Sequence, residues 1–385
     1  MTTASRQRRV FSRRASTNPS RRSIIALAAL ALGLAVAAPA VADSTVIRLG
    51  YPGVGIDNRP FGYGDNVSVA HIGHFIEDEF KNDPDVKVEW TFFRGAGPAV
   101  NEAIANGQLD FGAGEGDLPS IVARSKGLKT KIILAADTRD PIYLAVKPDS
   151  GIAGIDDLKG RKVAQFRGTN LQIATDRVLE AHGLTERDIK LINLDTGNTL
   201  AALASGDIDG AFGGPEYLDL DRRGIVKVVY STKSDDPAFG RQAALLVTED
   251  FESRHPDLTA RVVRAVVRSA QWSTDESNRE AVFQGWTKSG IPVETFRADF
   301  AGVKLTDRLS PIIDDFFVAR YRAQAERAKA YKLLHDDVDV DSWFEPKYLN
   351  QALADLKLED YWPRYDATGK KVATGTVEQT QAATQ

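Results

Sequence analysis

The chain has 385 residues, 43% hydrophobic and 26% charged, a balance that excludes a disordered polymer and provides for two compact lobes. Its net charge is −4, yet residues 1–42 hold seven arginines and no acid, so the remainder carries −11. That remainder has no excess of cations to neutralise nucleic-acid phosphates or to hold an anionic membrane surface, and with no cysteine the chain has no disulfide, thiolate metal ligand, thiol nucleophile or lipid-modified N-terminal cysteine.

In chain order, Arg6, Arg8, Arg9, Arg13, Arg14, Arg21 and Arg22 precede an apolar run over 24–38 and then Pro39-Ala40-Val41-Ala42. This order reads as a secretory signal cleaved near Ala42. The run is short of the ~20 residues a membrane-spanning helix needs. Ser20-Arg21-Arg22-Ser23-Ile24-Ile25 leaves the export route open between twin-arginine and Sec. A periplasmic, monomeric mature chain is expected.

Residues 46–50 predict a strand that opens into a glycine-rich loop over 51–66, and a helix over 67–80 capped by Asp65 or Asn66. A second strand is predicted over 86–93, then Arg94-Gly95-Ala96-Gly97-Pro98 and a helix ending near Gly107. A short strand over 109–112 enters a loop at 113–116, and Asp117 caps the next helix, with Pro119 in its first turn. The same logic returns from residue 155. A strand over 161–166 leads to Arg167-Gly168-Thr169-Asn170 and a helix over 171–181. Further strands over 189–194 and 208–212 flank a short helix over 199–204, and the last opens into Gly213-Gly214-Pro215.

The halves repeat in detail: Gly107-Gln108-Leu109-Asp110 is matched by Gly206-Asp207-Ile208-Asp209. One repeat at this spacing predicts an α/β chain of two similar lobes, with ligands at the carboxyl ends of the strands. Beyond Thr248 the pattern turns helical, over 251–273 and 308–332, in a block that packs back on the first lobe. The expected division is lobe 1 at 43–141 plus 245–365, lobe 2 at 142–244, and a disordered tail at 366–385. A double hinge falls near 137–142 and 241–246.

No catalytic motif stands out, and His71 and His74 lack a third metal ligand at suitable spacing. No cofactor is expected. What recurs is a glycine-rich strand end leading into a helix start, where unpaired N–H groups and the helix dipole favour an anion. Arg94 and Arg167 end strands in the two halves as candidate clamps, and Thr169 and Asn170 can donate to oxyanions. Glu115, Asp117 and Glu216 lie in the same loops. If Glu115 or Glu216 faces the cleft, the ligand carries an amine as well as an acid.

Ile47-Arg48-Leu49-Gly50-Tyr51, Gly97-Pro98, Gly107 to Gly112, Gly116-Asp117-Leu118-Pro119, Asp157 to Ala164 and Arg167 to Asn170 carry a resemblance. Over about residues 45–250 the chain resembles the periplasmic aliphatic-sulfonate-binding proteins of the sulfonate/nitrate/taurine ABC-transporter family. The resemblance implies a type II periplasmic-binding-protein fold, two αβ lobes joined by a double hinge, and no enzymatic activity. It also implies an inner-membrane ABC permease with a separate ATPase subunit as partner. Ligand contacts would come from Tyr51-Pro52-Gly53, Gly116-Asp117, Gly168-Thr169-Asn170 and the segment 212–217 with Gly214 and Glu216. Two departures, a long first loop over 57–65 and small residues at Gly213-Gly214, imply a roomier site for an arylsulfonate, sulfate ester or longer organosulfonate rather than taurine or nitrate. An enzyme on this fold, of pyrimidine-precursor or menaquinone-pathway type, and a ligand-binding sensor subunit are the other readings.

Overall fold

The computed structural model describes residues 44–372, so the signal over 1–42 and the tail beyond 372 lie outside the described residues. Ten strands among them form two five-stranded sheets. In chain order they are β1 (Thr45–Tyr51), β2 (Val86–Phe92), β3 (Phe111–Gly116), β4 (Thr130–Asp140), β5 (Tyr143–Val146), β6 (Lys162–Gln165), β7 (Lys190–Asn193), β8 (Gly210–Gly213), β9 (Lys227–Ser231) and β10 (Arg241–Thr248).

The first sheet runs β2-β1-β3-β10-β4 and the second β7-β6-β8-β5-β9. In each, four strands run in one direction and the fourth in order is antiparallel to both neighbours. That antiparallel strand, β10 or β5, is the one the chain reaches just after crossing from the other sheet. The crossings lie between Asp140 and Tyr143 and between Ser231 and Arg241. Residues 241–244, expected in lobe 2, instead pair with β3 and β4 of the first sheet.

Helices cover both faces of the first sheet. Val262, Val263, Val266 and Val267 of the helix Pro256–Thr274 are fully buried in one core with Leu245 and Val247. Each buried valine contributes about 1.5–3 kcal/mol relative to exposure, as an upper estimate. Phe317 and Tyr321 of the helix Asp315–Ala330 pack on the other face against Ile132, Ala135 and Leu246. The C-terminal block therefore does pack on the first sheet.

Several local expectations are corrected. The helix over 67–80 is two, Asn66–Ile72 and Phe75–Phe80, broken at Gly73 and at His74, whose φ is 56°. The loop over 113–116 is strand. β3 continues to Gly116, with Gly114 at φ +78° where the register with β10 shifts between Ala244 and Leu245. The stretch over 308–332 becomes helical only at Asp315, because Pro311 interrupts it and its carbonyl accepts from Ala135 N in β4. Residues 366–372 of the expected tail are ordered: Tyr365 bridges to Lys371 and Arg139 donates to Gly369 O.

Candidate functional site

The parallel strands of both sheets aim their carboxyl ends at one cavity of about 620 Å³. Tyr51 ends β1, Gly116 ends β3, Phe166 follows β6, Leu194 follows β7 and Gly213 ends β8, and all line it. A connection from a strand end into a helix places the helix N-terminus at the same edge, so the start of the site follows from the topology.

On the first sheet's side, Tyr51 donates to Asp65, whose Oδ1 accepts Ser68 N at 2.6 Å and so caps the helix Asn66–Ile72. A Cβ on Gly62 would meet the Tyr51 ring at 2.1 Å, so only glycine lets the first loop lie against that ring. Pro52 and Gly53 line the cavity beside it. Burial pushes the Asp65 carboxyl up to about 6. The helix Ala96–Ala105 begins here with Ala96 in the left-handed region at φ 53°.

On the second sheet's side, Thr169 caps the helix Asn170–Ala181, accepting Leu171 N at 3.2 Å and donating to Phe166 O at 2.7 Å. Asp195 caps the helix Thr196–Ser205, accepting Asn198 N at 2.9 Å. Glu216 folds back to accept Gly214 N at 3.0 Å. Bonds that cross between the sides include Arg94 Nη2 to Asp195 at 3.1 Å, Tyr63 hydroxyl to Glu216 at 3.3 Å and Asn170 Nδ2 to Gln242 O at 3.5 Å.

Of the residues singled out from sequence, Tyr51, Pro52, Gly53, Arg94, Gly116, Thr169, Asn170, Gly214 and Glu216 line this cavity together. Four do not. Arg167 turns away, bonding Glu186 at 3.0 Å, and is no clamp here, because a carboxylate on its own lobe holds it. Gly168, at φ +79°, donates to Gln172 and sits behind Thr169 against Pro98. Glu115 does not line the cavity: past the bulge at Gly114 it lies on the side of β3 that Gly112 shares. It is fully buried, accepts Asn101 Nδ2 at 2.8 Å, and burial pushes it up to about 8. Asp117 is fully buried as well, accepting Gln242 at 3.2 Å and Gln324 at 3.1 Å, while Gly116 holds the N-cap position.

The cavity also holds residues the sequence reading missed. Asp195 and Thr196 occupy the second-half position equivalent to Gly95 and Ala96, so the internal repeat pointed to them. Asp137, Asp140, Arg241, Asp299 and Arg308 line it too. No local pattern marks these, since they meet through pairs such as Arg308 with Asp140 at 2.6 Å, across 168 residues. His71 lies among Phe61, Trp90 and Phe92, and burial holds its ring down at about 4. Among the described residues no three His, Cys, Asp or Glu side chains are grouped to hold a metal.

Residues 82–279 match the family model described as NMT1/THI5 like. The chain is 26% identical over 290 residues to a protein of Bacillus subtilis (strain 168) named as an aliphatic sulfonates-binding protein, covering 74% of this chain and 84% of that one. It is 27% identical over 157 residues to the 2′-hydroxybiphenyl-2-sulfinate desulfinase of Rhodococcus erythropolis, 40% of this chain and 41% of that one. Among solved structures, the periplasmic sulfonate-binding protein of a sulfonate ABC transporter from Methylobacillus flagellatus KT superposes with a TM-score of 0.73 at 30% identity. That match spans 85% of this chain and 99% of that one.

Proposed function

The chain belongs to the NMT1/THI5-like family and has a periplasmic-binding-protein fold, and from that premise we propose that it is the exported solute-binding subunit of an ABC importer. Its ligand is a small organic anion, an alkane- or arylsulfonate or a sulfate ester. The two lobes close over it and present it to an inner-membrane permease served by a separate ATPase subunit.

The observation that carries this reading is convergence. The helix starts at Ala96, Asn170 and Thr196, drawn from both sheets, open on one cavity. A single helix N-terminus contributes about 0.3–2 kcal/mol to an anion, whereas micromolar binding needs about 8 kcal/mol. Several termini with the Asn170 amide supply donors from two directions, and neither lobe holds the full set. Tyr51, Pro52, Gly53, Arg94, Gly116, Gly214 and Glu216 form the remaining walls against the ligand. Calorimetry of the mature chain with a panel of sulfonates, sulfate esters, sulfate and nitrate is the test. Micromolar binding of at least one organosulfonate is expected, and binding of inorganic anions alone would overturn the assignment.

The desulfinase relative favours a second reading, an enzyme on this fold. This chain has no cysteine, so a thiol nucleophile is not available to it. Incubation with an arylsulfinate should leave it intact; release of sulfite would establish catalysis.

A further inference from the structure

The turn that brings Thr169 and Asn170 to the cavity is held from behind by an acid that does not itself line it, Glu186. A capping box over Thr185–Asp188 presents this residue: Thr185 N donates to Asp188 Oδ2 at 2.9 Å, and the single turn Glu186–Asp188 follows. From there the Glu186 carboxylate reaches back across 21 residues to β6. Its Oε1 accepts Gln165 Nε2 at 2.6 Å and Gln172 Nε2 at 3.0 Å, one from each side of the turn. Its Oε2 accepts Arg167 Nη2 at 3.0 Å. Gln172 passes the constraint on, because its Oε1 accepts Gly168 N at 2.8 Å and so fixes Gly168 at φ +79°. Gln165 and Gln172 are buried, so neither amide has water to bond instead.

Asp176, one turn beyond Gln172 on the helix Asn170–Ala181, stands against this knot beside Glu186, Gln165 and Arg167. Asp176 Oδ1 and Gln165 Oε1 are buried there, and neither has a hydrogen-bond partner among the described residues. The spot is short of donors. A proton on Asp176 supplies one and removes the repulsion between two neighbouring carboxylates. Burial first, and the Glu186 charge second, hold Asp176 well above the usual carboxylate range, with Gln165 and Arg167 opposing them.

We propose that Glu186 is the positioning residue of the turn over 166–170, acting through Gln165 and Gln172, with Asp176 in its acid form completing the set. This deepens the organic-anion reading and rests on it. Glu186 touches no ligand, but it fixes the start of the helix Asn170–Ala181, which opens on the cavity. Arg167 grips the other carboxylate oxygen from the solvent side and can be lost without freeing either glutamine. When Asp176 gives up its proton the two carboxylates repel, Glu186 withdraws from the glutamines and the turn loosens. Binding favours the protonated pair, so affinity for a permanently anionic ligand falls as pH rises through the Asp176 titration.

Variants of the full mature chain test this by calorimetry, with propanesulfonate and 4-methylbenzenesulfonate as probes that stay anionic at every pH used. Glu186→Ala should weaken the tighter-binding sulfonate about tenfold and speed amide hydrogen exchange of Gly168 by at least as much. Glu186→Gln, which keeps the Oε1 acceptor without the charge, should restore affinity to within about threefold and flatten the pH profile. Val178→Ala, a core deletion on the same helix, is the structural control: it should lower Tm yet leave affinity within about twofold. Between about pH 6 and about pH 9 the wild type should lose at least about threefold more affinity than Asp176→Asn, whose amide keeps a donor in place. Other buried acids, Asp65, Glu115 and Asp117, are common to both chains and cancel in that comparison. A loss in Glu186→Ala no greater than in Val178→Ala, or an unchanged Gly168 exchange rate, overturns the positioning role. Coincident pH profiles for the wild type and Asp176→Asn overturn the part given to the acid form of Asp176. If neither sulfonate binds any of the chains, the organic-anion reading fails, and Gly168 exchange by itself still decides whether Glu186 shapes the turn.

Discussion

Gly62 and Glu115 show how single residues shape this site from opposite sides of its wall. Gly62→Ala would drive a methyl group into the Tyr51 ring, which its bond to Asp65 holds in place. Overpacking of this kind costs about 1–3 kcal/mol. We expect a lower Tm and weaker ligand binding together, measured by thermal unfolding and calorimetry; an unchanged Tm would mean that the loop simply slides away. Glu115 is buried behind the wall and is pushed up to about 8 from an ordinary 4.5. The folded chain then binds a proton that the unfolded chain has released, so this group's contribution to stability falls as pH rises from about 4.5 to about 8. Glu115→Gln, which can still accept from Asn101, should flatten that decline and raise stability near the upper end. A denaturation series across this window checks it, and an unaltered slope would show that Glu115 is ionised in the fold. From sequence, Glu115 and Glu216 looked alike, acids in glycine-rich strand ends. The extra length of β3 sends one of them away from the cavity.

At the scale of elements, helix starts line the cavity, and their caps were readable because a cap acts over about three residues. Asp65 was identified as one of two candidate caps, and Thr169 lay in the turn expected to meet a ligand. Thr169→Ala should cost about 1 kcal/mol of stability by removing a helix cap and should weaken sulfonate binding. Arg167→Ala should leave the affinity within about twofold, since its partner is Glu186 and a half-exposed pair contributes about 0–1 kcal/mol. Equal losses from the two variants would return Arg167 to the site. The strands β4, β5, β9 and β10 were not read as strands; β5 and the middles of β4 and β10 are continuous apolar runs buried on both faces rather than alternating ones. The break at His74 escaped notice for the opposite reason: residues 67–80 have a helical pattern that the backbone interrupts.

Across the whole molecule, the two sheets share one strand order, and the first is finished only when β10 returns to it after β5 to β9 have built the second. Arg94 with Asp195 and Tyr63 with Glu216 then span the cavity between them. A ligand that bonds to both sides adds to these bridges, and closure follows. Small-angle scattering should show the mature chain more compact with saturating sulfonate than without it; identical profiles would argue for a rigid site and against capture by closure.

Residues that cooperate within a few positions of one another were decided by the sequence alone: strand ends that turn on glycine, helix caps, the repeat that makes two αβ lobes, and an acidic body behind a basic N-terminal stretch. Hydrogen bonds across a turn need no distant partner, so their signals survive in one dimension. The charge pattern of the cavity was decided only in three dimensions. Asp140 meets Arg308 across 168 residues, Tyr63 meets Glu216 across 153, and Asp137 Oδ1 has no hydrogen-bond partner among the described residues. Which carboxylates keep a partner depends on how the C-terminal helices and the two crossings bring remote segments together, and Coulomb attraction acts on that spacing rather than on order along the chain.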